Sequence, residues 1–386
     1  MAPLFEAVSI TGIGETRYQK KSLGKTALQL QLEASLAAID DAGLVPSDID
    51  GLITYAGSNS SVTPEDFIAN FGLELKFSGH TPLGGASAVA AIQCAAAVIA
   101  VGLCRHVLIP VGRANFSGAR ASDRTRGSSQ MRLATEFERP AGAFSPVHFY
   151  AHMAQRHMEL YGTTSRQFGE IAVTTRTHAL LNGNAAMTAP LTLDEHQASR
   201  MIADPFRLFD CSLETDGGAA IVVSATARAR DMRSAPVIVM GVAEGHPDSP
   251  GAITQREDIL SFGVERAAPR AFGMAGVGVD AIDVAQLYDC FTFVVLNQIE
   301  NLGFCGKGEG GAFVENGNIG LGGRLPVNTH GGLLSQGHVL GMNHVVELVR
   351  QLRGEAGAAQ VKDAEVGLVT GFGNMCQGAV AIMRRG

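Results

Sequence analysis

The chain has 386 residues, a formal net charge of -7, 46% hydrophobic residues and 17% charged ones. That length allows two or three domains, or one large duplicated one, with ample material for a buried core. The mild acidity and the lack of Lys/Arg runs exclude nucleic acid as the main partner. Six scattered cysteines, none in a C-x-x-C pair, read as reduced thiols of a cytoplasmic protein, not as a disulfide framework or a metal site. No basic flank precedes a long apolar segment at the N-terminus, so no signal peptide is expected. The most apolar stretch, Ala86 to Val101, is interrupted by Gln93 and is short for a membrane span; it reads as a buried helix.

In chain order, Val8 to Ile13 reads as a strand. Leu23 to Ala42 is expected to be helical, with Leu28, Leu32, Leu36 and Ile39 on one face and Gly43 ending it. Ile49 to Tyr55 is a turn and then a strand. Pro64 to Phe71 is a short helix with proline at its start. Thr81 to Ser87, T-P-L-G-G-A-S, opens the apolar helix, Gly102 ends it, and His106 to Val111 is an apolar strand. From Arg113 to about Pro205 the character changes. Arg113, Arg120, Arg124, Arg126 and Arg132 punctuate a polar segment, and helical patterns follow at Phe149 to Tyr161 and Ser165 to Leu181. Asp216 to Val223 reads as a turn and a buried strand, with a helix over Ala225 to Met232.

The second half repeats the first. Ala281 to Tyr288 parallels Asp48 to Tyr55, and Gly331-Gly332 with a helix to Leu352 parallels Gly84-Gly85 and its helix. Glu365 to Thr370 parallels His106 to Val111, and Gly378 to Met383 parallels Gly218 to Val223. Four pairs in one order make duplication a better account than chance. The spacing is 163 residues from Tyr55 to Gly218 but 90 from Tyr288 to Gly378, a surplus of 73 in the first half. The expected division is therefore 1–112 plus 206–240 for the first half, 113–205 for an insertion, and 241–386 for the second half. Strands alternating with helices, duplicated, imply an α/β fold of stacked layers. The two buried helices should face each other across a pseudo-twofold axis. The stretch Asn328 to Glu347, with Gly331-Gly332 and with His338 between Gly337 and Gly341, brings backbone N–H groups and a titratable side chain to one point.

Together these features resemble the thiolase superfamily over essentially the whole chain. Gly337-His338-Val339-Leu340-Gly341 resembles the family's G-H-P-x-G motif, with Val339 in place of Pro. Tyr288-Asp289-Cys290-Phe291 resembles H-D-C-F or N-E-A-F, and Asp210 to Ala220 resembles the D-C-(x)-D-G-A-A-A segment. The resemblance implies a thiolase-like fold: duplicated βαβαβ halves in stacked α-β-α-β-α layers, with an inserted loop domain. Two departures bear on function. Thiolases carry a nucleophilic Cys at the start of the first buried helix, where this chain reads Pro82 to Ser87 without one. Their C-x-G loop is replaced by Thr370 to Cys376, with the cysteine displaced. The pattern is similar to the Cys-lacking lipid-transfer-type branch that includes steroid side-chain aldolases, in which a Tyr occupies the position of Tyr288. That branch cleaves β-hydroxyacyl-CoA by retro-aldol chemistry and works with a small zinc-ribbon/OB-fold partner.

A retro-aldol step needs a base for the β-hydroxyl proton, donors to the enolate and an acid for its α-carbon. Tyr288 and His338 are the expected catalytic residues, Tyr288 needing a depressed pKa to act as a base. Gly84, Gly85, His330 and Gly371 are the expected oxyanion and pocket residues. Ser87, His344, Cys290 and Cys376 read more simply as structural. The arginines between 113 and 132 read mostly as a solvated face, with one or two placed to meet CoA phosphates. The resemblance implies a CoA thioester as substrate, no tightly bound cofactor and no metal. It implies a homodimer covering an open sheet edge, which sedimentation would test, and a partner protein. Two other readings stand beside the aldolase: an acyltransferase or thiolase with an unusual nucleophile, and a non-catalytic acyl-CoA or lipid-binding subunit.

Overall fold

Two glycines decide how the first strand meets the first helix. β1 (Val8–Glu15) carries Gly12 and Gly14, and a Cβ on either would strike the backbone of α1 (Ala27–Asp41), 2.0 Å from the Ala38 oxygen or 2.2 Å from the Ala34 oxygen. Small residues on the helix permit this approach, and its buried face is Leu30, Gln31, Ala34, Ser35, Ala38 and Ile39. The leucine face expected from spacing is thereby corrected: Leu36 is 47% exposed. A reciprocal cap, Gln29 N–H to Thr26 Oγ1 and Thr26 N–H to Gln29 Oε1, starts the helix at Ala27; Leu23, the expected start, lies outside the described residues. The computed structural model describes residues 6–20, 24–55, 62–118, 132–230, 232–246 and 252–386; Arg120, Arg124 and Arg126 lie outside them.

The first half continues with β2 (Gly51–Thr54), α2 (Pro64–Phe71), β3 (Phe77–His80), α3 (Ser87–Ala100) and β4 (His106–Ala114). Then come α4 (Pro146–Tyr161), α5 (Ser165–Leu181), α6 (Leu193–Ala198) and a small ribbon of β5 (Met201–Ala203) and β6 (Phe206–Arg207). β7 (Asp216–Ala225) leads to α7 (Thr226–Ala229), a four-residue turn where a helix to Met232 was expected. The second half holds β8 (Val237–Gly245), α8 (Gly263–Ala275), β9 (Val284–Gln286), α9 (Thr292–Asn301), α10 (Gly310–Phe313), α11 (Met342–Arg353), β10 (Val366–Gly373) and β11 (Gln377–Arg385). The division expected at 240/241 would cut β8, whose long pairing with β11 places it in the second half.

The large sheet runs β3-β2-β4-β7-β1-β8-β11-β10-β9. Its two halves mirror each other. β2 is parallel to β4 as β9 is to β10; β4–β7 and β7–β1 are antiparallel as are β10–β11 and β11–β8. The halves join where β1 and β8 pair at Ser9–Ile238 and Ile10–Val237. α1 packs chiefly on strands of the first half and α8 on strands of the second, whereas α3 and α11 touch both halves and each other. The order is therefore α-β-α-β-α, with α3 and α11 in the middle layer. α5 packs against α9 and against the turn at 332–336, so the insertion leans on the second half.

Gly331-Gly332 does not itself open the long helix. Gly331 (φ 103°) is left-handed and leads into one wide turn, Gly332–Gln336. The chain then breaks, and Gly341 (φ 79°), also left-handed, starts α11.

Candidate active site

The stretch 328–347 is buried throughout except at His338, which is half-buried. His338 is thus the one residue of the stretch that keeps appreciable solvent-accessible surface. Its backbone is fixed on both sides: His338 N–H donates to Thr215 Oγ1 at 2.8 Å, and Asn115 Nδ2 donates to the His338 carbonyl at 3.3 Å. Val339, at the motif's usual proline position, is fully buried with the apolar side chains of α3 and α11.

Tyr288 follows β9, and its hydroxyl lies 3.2 Å from His338 Nε2. Ser212 Oγ lies 3.3 Å from Nδ1 on the other side of the ring. Tyr288 N–H donates to Thr370 Oγ1 at 3.0 Å, Thr370 donates to Gln298 Oε1, and Gln298 Nε2 donates back to the Tyr288 carbonyl at 2.7 Å. This closed ring of bonds fixes where β9 delivers the phenol. Tyr288 is 4% exposed. Burial pushes its pKa well above 10, Cys290 adds to the rise, and the Arg113 charge offsets part of it. The depressed pKa that a tyrosinate base would need is thus corrected: burial keeps the proton on the phenol, which shares a hydrogen bond with His338 Nε2.

Gly85 explains how the phenol reaches this place. A Cβ there would fall 2.2 Å from Tyr288 Cζ, 2.3 Å from its hydroxyl and 2.3 Å from the Phe372 oxygen. Gly84 (φ 59°) is left-handed, but Gly85 is not, so contact and not backbone strain demands glycine at 85. The space a side chain would take at the start of α3 is filled by Tyr288. Gly341 also borders the ring, 2.9 Å from Cδ2 on the same construction. Gly371 is likewise a close-approach residue, where a Cβ would sit 2.7 Å from Ala86 Cα.

The other expected residues fall behind this pair. Ser87 is 2% exposed, and its Oγ accepts from Leu83 N–H at 3.0 Å as a local cap. Cys290 and Cys376 are buried, and burial pushes the Cys290 thiol far up, away from a thiolate. His344 Nε2 lies 3.0 Å from Asp289 Oδ1 and 3.0 Å from the Leu287 carbonyl, and its ring stacks on Tyr288 at 6.2 Å. His330 has no exposed surface, stands 4.7 Å from the His344 ring and leaves Nδ1 without a partner. Ser212, Thr215 and Thr370 lie in motif stretches that do not single them out as site residues, and Asn115 and Gln298 support the site without any local sequence signal. Tyr150 of α4 adds an aromatic wall, tilted by 35° against Phe291 at 4.8 Å and edge-on to Phe372 at 5.8 Å.

Burial holds His330 well below 6.5, with His344, Arg350 and His178 adding to it; burial also lowers His178 and His106. Below 6.5 the unfolded chain therefore binds protons that the folded chain does not. Stability is present above that value and is lost as pH falls through it, by up to about 1.4 kcal/mol per pH unit for each such histidine. Glu347, raised by burial, acts with the opposite sign but nearer its own 4.5. The melting temperature is expected to be lower at pH 5.5 than at pH 7.5; an equal or higher value at pH 5.5 would contradict the buried neutral histidines.

A duplicated five-layer core, with a glycine helix start, a Gly-His turn and a strand end meeting at its centre, defines a thiolase-like protein whose helix start carries no thiol and is packed against the Tyr288 phenol. Residues 245–385 match the family described as thiolase C-terminal domain-like. The chain is 40% identical over 364 residues to a steroid side-chain-cleaving aldolase of Thermomonospora curvata, covering 92% of each chain. It is also 40% identical over 354 residues to 17-hydroxy-3-oxo-4-pregnene-20-carboxyl-CoA lyase of Mycobacterium tuberculosis, covering 90% of this chain and 91% of that one. A solved structure described as Ltp2-ChsH2(DUF35) aldolase superposes with a TM-score of 0.93 at 37% identity, over 100% of this chain and 99% of that chain. The chain belongs to the thiolase superfamily. Among the described residues, no helix is long and apolar enough to cross a membrane.

Proposed function

We propose that this protein cleaves a β-hydroxyacyl-CoA by a retro-aldol reaction, with Tyr288 and His338 as the catalytic pair. The observation that carries this reading is the Tyr288 hydroxyl, 3.2 Å from His338 Nε2 and set against Gly85 at a helix start that carries no cysteine. The substrate's β-hydroxyl gives its proton to the Tyr288 oxygen as the phenol proton passes to Nε2. No free tyrosinate is formed, which suits a phenol whose pKa burial has raised. The Cα–Cβ bond breaks, the β-carbon leaves as a ketone or aldehyde, and the bond's electron pair becomes the thioester enolate. The proton held on His338 then returns to the α-carbon through the phenol. Gly84 and Gly85, at the positive end of α3, are the proposed backbone donors to the enolate oxygen. The relatives' names supply the proposed substrate class, a CoA thioester on a steroid side chain. The description of the related complex supplies a second proposal, a DUF35-type partner chain.

Cleavage by this route passes through no acyl-enzyme. Incubation with an acyl-CoA, with any required partner present, should leave the intact mass of the chain unchanged. A stoichiometric adduct on Cys290, Cys376 or Ser87 would replace this reading with acyl transfer.

A further inference from the structure

We propose that Arg113 supplies the cation that faces the enolate oxyanion of the bound CoA thioester, an assignment that rests on the retro-aldol reading. Along β4, Val107, Ile109 and Val111 pack with α3 and α11 in the middle layer, while Leu108 packs with α1 on the outside. Alternation therefore turns Arg113 and Asn115 toward the middle layer as well. Asn115 holds the His338 carbonyl, and Arg113 stands two residues away on the same strand face, about 7 Å along it. An arginine side chain spans that distance. The guanidinium lies over the Tyr55 ring, its Cζ 5.5 Å from the centroid, and Tyr55 is the first-half counterpart of Tyr288.

The side chain is half-buried. Its Nε is buried with no hydrogen-bond partner, and no carboxylate among the described residues forms an ion pair with it. A buried guanidinium N–H left without a partner is costly unless an acceptor arrives with the ligand. The charge is felt at the reacting phenol, where it counteracts the rise caused by burial. With Asn115 of the same strand face bonded to the His338 carbonyl, an anion on Arg113 falls on the side of the reacting pair. The CoA phosphates sit at the far end of the pantetheine arm, so the enolate oxygen is the oxyanion that fits. The carbon–carbon bond that breaks leaves its electron pair on this thioester, and Arg113 meets a charge absent from the ground state.

The experiment compares binding of CoA and of S-carboxymethyl-CoA, whose carboxylate stands in for the enolate oxygen, by calorimetry on the full chain with its partner where one is required. The wild type should bind S-carboxymethyl-CoA at least about tenfold tighter than CoA, and Arg113→Met should abolish that preference while leaving CoA affinity unchanged. Arg113→Gln, which keeps a polar side chain, is the second variant and is held to the same result. On a cleaved substrate, each variant should lose roughly 100- to 1,000-fold in kcat with little change in KM. A wild type without the preference overturns the proposal. So does a preference that survives in both variants, or an equal weakening of both ligands, which would put Arg113 on the phosphates. An Arg113-dependent preference in a wild type that cleaves no β-hydroxyacyl-CoA would support the anion site and sink the retro-aldol reading alone.

Discussion

Tyr288→Phe is expected to lower turnover on a β-hydroxyacyl-CoA by roughly 100- to 10,000-fold, the range of general acid–base contributions. The fold should survive the change. The substitution removes one hydroxyl, whose described partner is His338 Nε2, and keeps the ring that borders Gly85 and Gly341 and stacks on His344. The bonds that fix this position run through the backbone of residue 288 to Thr370 and Gln298 and are untouched. Substrate affinity should change much less than turnover. Steady-state kinetics beside a thermal melt separates the two effects. A variant that keeps near wild-type kcat would show that another group handles the β-hydroxyl proton.

The contrast between Gly85 and Gln298 shows where the sequence speaks and where it is silent. Gly84-Gly85, Gly331-Gly332 and the Gly337/Gly341 bracket are legible because close backbone approach and left-handed turns leave few other residues possible. Repeated strand strings are legible because β2, β4 and β7 recur as β9, β10 and β11 in the same mirrored pairing. α9 left no trace, since all ten of its residues are buried and a helix covered on every side has no polar stripe to set a period. Gln298, which holds Tyr288 in place, was lost with it. Asn115, Ser212 and Thr215 reach His338 from 223, 126 and 123 residues away, a separation no local motif records. The rotation of α1 escapes the leucine spacing for a related reason, because Gly12 and Gly14 select the small face of the helix over the leucine face. The resemblance to a thiolase supplied the place of Tyr288, but its protonation state needed the burial that only the fold provides.

His338→Ala is expected to cost as much turnover as Tyr288→Phe, again roughly 100- to 10,000-fold. The side chain is half-buried, so its removal opens space toward the site and not a closed cavity in the core. The backbone stays in place, because Thr215 and Asn115 hold the N–H and carbonyl of residue 338 whatever side chain it carries. A proton that leaves the substrate through Tyr288 needs an acceptor beyond the phenol, since burial has made a lasting tyrosinate unfavourable. Without the imidazole the relay ends at Tyr288. The two residues then act as a unit, and losses within a unit do not multiply. Tyr288→Phe combined with His338→Ala should be about as impaired as the worse single variant, and added imidazole should restore part of the activity of His338→Ala alone. Losses that multiply in the double variant would mean that the two groups serve separate steps, with His338 acting on the enolate independently of Tyr288.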